Sequence, residues 1–166
     1  MGVAQYDDVG EVVPVIHVWG FDPGLATGWC HLSVHFDGEI GIFNCGEGDH
    51  FQIGNMLYDN PALKAAVVKR EIETVFAVEK FTISPGKTQA PWSLETIGLI
   101  RYFSNFYHIP FFMSSPSQHK PLIKDEVIKR AGLWVPGKRH AMDAVRVAMY
   151  HLIKERRLLT EWLKEK

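Results

Sequence analysis

Asp22, Glu79, His140 and Asp143 are the side chains whose types and surroundings could do chemistry. Asp22 closes a short apolar run, VIHVWGFD, and is followed at once by Pro23-Gly24. An acid there emerges from the core at the rim of a sheet, although Asp-Pro-Gly alone also reads as a turn in which Asp bonds its own backbone. Glu79 closes a second apolar run, Val75 to Val78. An ionised carboxylate at such a place is costly unless paired or bound to a cation. Lys80 is adjacent, but successive strand residues point to opposite faces, so Glu79 must look elsewhere for a partner, or stand in water at the rim. His140 and Asp143 lie three apart at the start of a long helix (RHAMDAVRVAMYHL), on one face and one turn from each other. In isolation that pair also fits a capping role.

Together these residues offer hard oxygen ligands and one imidazole at the ends of two strands and a helix. The set suits magnesium, and the single nitrogen donor also admits manganese. Two such ions about 3.5–4 Å apart activate water and stabilise the leaving oxygen in phosphodiester hydrolysis.

The elements that must position these groups follow from periodicity. Val15–Asp22 reads as a buried strand, Gly28–Phe36 as a second, Asp37-Gly38 as a hairpin turn and Glu39–Cys45 as the returning strand. Phe51 to Glu73 has helical spacing interrupted near Pro61, and Thr74–Phe81 is a fourth strand. Ser84–Pro91 is a loop, Trp92–His108 a helix, and Ile109–Met113 a fifth strand. Gln118–Ala131 is a helix ended by Gly132, and Val135-Pro136-Gly137 leads into the last helix near Arg139. The order predicts an α/β fold, a mixed five-stranded sheet flanked by helices, with a three-strand antiparallel meander and two parallel strands.

A chain of 166 residues with 46% hydrophobic content is sized for one domain, residues 1–166, with residues 1–14 as an N-terminal extension. No stretch approaches the roughly 20 apolar residues of a membrane helix and no signal peptide is evident, so an intracellular, soluble protein is expected. Cys30 and Cys45 lack any partner motif and read as reduced packing residues. Net charge is −1, but residues 117–166 hold 12 Lys and Arg against 6 Asp and Glu, leaving 6 against 13 in residues 1–116. A basic part beside an acidic one fits a protein that holds phosphates, and equally a solvated basic helix.

The motifs GFDPGLATGW (Gly20 to Trp29), AVEKF (Ala77 to Phe81) and HAMDAVRVAMYH (His140 to His151) resemble those of the RuvC family of Holliday junction resolvases, in the ribonuclease-H-like superfamily. The resemblance spans Val15 to Leu152. It implies a ribonuclease-H-like fold and a metal-dependent endodeoxyribonuclease acting as a homodimer on branched DNA, chiefly four-way junctions, leaving 5′-phosphate and 3′-hydroxyl ends. It implies Asp22, Glu79, His140 and Asp143 as ligands of two Mg2+ ions per site, with Mn2+ as an alternative. Lys120, in SPSQHK, stands where the family has a basic residue near the scissile phosphate. Phe81 is similar to the aromatic that contacts unpaired bases at the crossover, two residues after the glutamate rather than three. Lys80, Lys124, Lys138 and Arg139 join Phe81 and Lys120 as expected DNA contacts. The helix Trp92–His108 offers a dimer surface or an ordinary core helix. A short loop at 82–91 and the acidic start suggest a divergent, virus-encoded member, placed in the cytoplasm of a bacterium or an infected host cell.

Other readings keep part of this picture. The same fold could serve a YqgF-type nuclease on structured RNA, a nuclease for forks and flaps, or a non-catalytic binder of branched DNA. A sugar-kinase or actin-like ATP-binding module shares the strand-end Asp-x-Gly but needs two domains around a cleft.

Overall fold

The structure is a computed structural model that describes residues 15–35, 38–69, 73–81 and 91–158. Residues 1–14, and the loop at 82–90, lie outside the described residues. The strands are β1 (Val15–Asp22), β2 (Thr27–His35), β3 (Ile40–Gly48), β4 (Glu73–Glu79) and β5 (Phe111–Ser114). The helices are α1 (His50–Asp59), α2 (Pro61–Lys69), α3 (Trp92–Tyr107), α4 (Pro116–His119), α5 (Asp125–Arg130) and α6 (Arg139–Lys154).

The strands form one sheet in the order β3-β2-β1-β4-β5. β1–β2 and β2–β3 pair antiparallel, while β1–β4 and β4–β5 pair parallel. This is the expected mixed sheet, and its direction has a chemical consequence. Parallel register sets Phe21 beside Val78, so Asp22 and Glu79 leave the sheet at the same edge.

Strand alternation sorts the core into two layers. Ile16, Val18, Cys30, Leu32, Val75 and Ala77 face α6, which packs Ala141, Ala144, Val145 and Ala148 against them. Trp19, Phe21, Phe76 and Val78 face the other way, toward Ile53, Leu57, Ile100 and Phe103 of α1 and α3. Glycines let α6 come close. A Cβ on Gly28 would lie 1.9 Å from the His140 carbonyl oxygen, and one on Gly20 would lie 2.3 Å from that of Ala144. Small residues on both sides therefore seat the start of α6 directly on the strand ends.

Several boundaries differ from the periodic reading. Asn60 ends α1 and Pro61 opens α2, with the Asn60 side chain accepting from the amides of Ala62 and Leu63. β3 runs through Gly48, after which Asp49 caps α1 in a reciprocal box with Gln52. The single helix expected over Gln118–Ala131 is two short ones, α4 and α5. Pro121 has no amide hydrogen to continue the ladder, so the chain turns there before restarting at Lys124. In α3, Ile100, Phe103 and Tyr107 are core residues, and Leu94, Tyr102 and Phe106 on its outer side are exposed. Cys30 and Cys45 face each other across β2 and β3 as free thiols. No helix among the described residues is long and apolar enough to cross a membrane.

Candidate functional site

The rim where β1 and β4 end is overlaid by the first turns of α6 and by the β5–α4 junction, and it gathers every one of the candidate ligands. Asp22 is buried, and its Oδ2 accepts from Nδ1 of His140 at 2.9 Å. Glu79 leans the other way and accepts from Nε2 of His119 at 2.9 Å. With Nε2 carrying the proton, His119 Nδ1 accepts from the Ser114 hydroxyl at 3.1 Å. His119 is fully buried, so this chain from β5 through α4 fixes the direction of the Glu79 carboxylate.

Lys120 stands between the remaining acids, its Nζ 3.3 Å from Asp143 Oδ2 and 3.6 Å from Glu79 Oε2. Asp143 is held on its other oxygen by Arg146, one turn along α6, and the same guanidinium grips Asp125 of α5. Arg146 Nε also donates to the Ile123 carbonyl at 3.1 Å, so α5 and α6 are joined behind the site.

These surroundings tune the acids differently. Burial pushes the Asp22 carboxyl up to about 6 from its ordinary 3.8; the His140 bond opposes this, and the charges of Glu79 and Asp143 add to it. For Glu79 burial also pushes upward, yet the His119 bond and the Lys120 ammonium outweigh it and hold the group below its ordinary value. Asp22 is thus a carboxylate short of positive charge.

His140 and Asp143 do not cap their helix. That task falls to Glu47 of β3, whose Oε1 accepts from the backbone amides of His140 at 2.8 Å and Ala141 at 3.2 Å. The His140 ring is consequently free to reach Asp22. Lys80 does not pair with Glu79, as its position in the strand predicted; it is exposed beside Phe81, and both line a cavity of about 210 Å3 with Glu79, Pro23 and Pro116. Lys124, Lys138 and Arg139 are exposed and, with Lys120, line a separate, larger cavity of about 700 Å3.

The sequence reading missed His119, Glu47, Arg146 and Ser114. Arg146 carried a signal, since it follows Asp143 by three residues on a helix. Glu47 and His119 carried none, because their partners lie far away along the chain. Among the described residues, no three His, Cys, Asp or Glu side chains converge into a ready-made cation cage. Asp22 is paired with His140, Glu79 with His119, and an ammonium lies between Glu79 and Asp143.

No family model and no curated protein matches this chain. Solved structures do. The structure of Thermus thermophilus RuvC superposes with a TM-score of 0.61 at 19% identity, covering 85% of this chain and 96% of that one. T. thermophilus RuvC in complex with Holliday junction substrate gives 0.58 at 17% identity, covering 87% and 96%. The chain therefore has the RuvC fold, a ribonuclease-H-like mixed sheet flanked by helices.

Proposed function

We propose that this chain is a metal-dependent, structure-selective endonuclease that cuts branched DNA, chiefly four-way junctions, leaving 5′-phosphate and 3′-hydroxyl ends. The observation that carries the reading is the gathering of Asp22, Glu79 and Asp143, from β1, β4 and α6, at one rim of a sheet whose fold is shared with a protein solved on a Holliday junction substrate.

The donor set fits a hard divalent cation. Its acids lie close enough that Glu79 and Asp143 raise the Asp22 carboxyl, and an ammonium already occupies the space between Glu79 and Asp143. Asp22, Glu79, His140 and Asp143 would hold Mg2+, or Mn2+ given the imidazole. When bound, a pair of such ions makes a water nucleophilic and neutralises the leaving oxygen. The chain's own residues do the rest. His119 and Arg146 keep Glu79 and Asp143 aimed at the rim. Lys120, released from those acids, supplies positive charge to the phosphate in the transition state. Lys124, Lys138 and Arg139 hold the backbone on one flank, while Lys80 and Phe81 meet bases at the crossover on the other. The exposed face of α3, with Leu94, Tyr102 and Phe106, is the surface on which a second copy would dock, so that two opposed strands are cut. Such an enzyme would act in the cytoplasm of a bacterium or of an infected host cell.

The test is cleavage and binding of a synthetic four-way junction by Asp22→Asn and Asp143→Asn. Both should lose cleavage and keep binding, because a ligand carboxylate is removed while phosphate contacts stay. Full cleavage by either variant would overturn the assignment. Three-way and linear duplexes assayed alongside measure the preference for four arms.

A further inference from the structure

We propose that the cavity between α4, α5 and the start of α6 receives one unstacked nucleotide of the cleaved strand and discriminates its base. This rests on the nuclease reading above and adds a specificity site to it. At about 700 Å3, the cavity is the size of pockets that enclose small organic ligands. Asp143 and Lys120 belong to its wall, so whatever enters lies against the proposed catalytic rim.

The lining argues for a whole nucleotide rather than a passing backbone. A surface that only tracks phosphates needs cations. Here cations form one part, Lys124, Lys138 and Arg139, while Trp134, Val135 and Met142 add an apolar part. The indole is braced: Lys129 Nζ lies 4.8 Å from the Trp134 ring centroid, and the amide of the next residue, Val135, donates to Met142 Sδ at 3.4 Å. A half-buried tryptophan held in this way is a preformed stacking partner for a base.

The acids on the same wall complete the case. Asp125 and Glu126 both line the cavity, which a bound phosphate would find repulsive. Asp125 is engaged by Arg146, and Glu126 is exposed. A carboxylate of this kind accepts from the exocyclic amino group of cytosine, adenine or guanine, which thymine lacks, leaving thymine only its imino N3–H. The cavity therefore suits a nucleotide with its phosphate on the lysines, its ring beside Trp134 and an amino group toward Glu126.

The experiment places 2-aminopurine singly at each position around the crossover of a four-way junction bound to the Asp22→Asn protein, which holds the DNA uncut. Fluorescence should change at one position beside the cut, and the change should vanish in Asp22→Asn proteins that also carry Trp134→Ala and persist with Trp134→Phe. On the otherwise unaltered protein, replacing that nucleotide by an abasic residue should weaken binding roughly 10-fold or more, the size of a lost base stack. In cleavage, Glu126→Ala, which removes the acceptor, should flatten the rate ratio between amino-bearing bases and thymine at that position. Uniform fluorescence with no abasic effect would overturn the pocket and reduce the cavity to a phosphate contact. Because Glu126 is exposed, its variant and the abasic junction carry the test even where Trp134→Ala fails to fold. Absence of junction cleavage by the unaltered protein would instead sink the nuclease reading, and the fluorescence arm would still decide the pocket.

Discussion

Burial raises the Asp22 carboxyl above its ordinary range, and the sign of that shift makes a measurable statement. Its carboxyl titrates near 6 in the fold against an ordinary value of 3.8. Between those values the folded state binds more protons than the unfolded one, so stability without metal falls as pH rises through this window. A shift of this size corresponds to roughly 3 kcal/mol at most. Glu79 acts in the opposite sense, its contribution being lost only as pH falls below its ordinary 4.5. Burial lowers His17, His31 and His151, which act in the opposite direction over the same range. The Asp22 contribution is therefore read as a difference: the urea midpoint of metal-free Asp22→Asn relative to the unaltered protein should rise between pH 5.5 and pH 8. Added Mg2+ or Mn2+ should raise the midpoint of the unaltered protein at pH 8. Metal should raise the Asp22→Asn midpoint less than that of the unaltered protein; a difference between the two metal-free proteins that does not change with pH would refute the account. The acids themselves were legible in the sequence because each follows an apolar strand or opens a small-residue helix. Their partners were not: His119 meets Glu79 across 40 positions of chain, a distance that no local pattern encodes.

At the scale of elements, the site depends on how closely α6 lies on β1 and β2. Gly28 faces Asp22 across the β1–β2 ladder, and a methyl group on it would overlap the His140 carbonyl. That obstacle is backbone, which no side-chain rotation relieves. Gly28→Ala should therefore push the first turn of α6 off the sheet, costing about 1–3 kcal/mol as overpacking. Junction cleavage should fall further than that loss of stability explains, since His140 and Asp143 move with the helix. A variant with normal cleavage and an unchanged unfolding midpoint would show that the close seat is dispensable. The strands and α6 were readable because alternation and a nearly continuous small apolar helix are strong local signals. The region Gln118–Ala131 was misread because Leu122, Ile123, Val127 and Ile128, all beyond Pro121, keep helical spacing, and extending that helix back to Gln118 passed over the break at the proline. That break brings His119 and Lys120 to the acids, since it lets α4 end at the rim instead of running past it.

For the molecule as a whole, a net charge of −1 conceals a division that the fold turns into two surfaces. The cations beside the large cavity, Lys120, Lys124, Lys138 and Arg139, all come from the basic stretch 117–166, whereas Asp22 and Glu79 come from the acidic remainder. Folding sets the two side by side, so a polyanion held by the cations would lie against the carboxylates. Each phosphate neutralised releases condensed counterions, and log K falls with log salt by about 0.9 per contact on duplex DNA. Engagement of these side chains should give a slope near −4 per protomer, measured by fluorescence anisotropy of a labelled junction across salt concentrations in the absence of divalent metal. Lys138 is the informative one to remove, because it is exposed and donates no more than a long 3.4 Å bond to the Cys45 carbonyl. Lys138→Ala should lower the slope by about one and weaken four-way and linear DNA alike, as loss of a phosphate contact does. A slope near zero would mean that the basic stretch is merely solvated, and the division of charge would then have no part in bringing a polyanion to this rim.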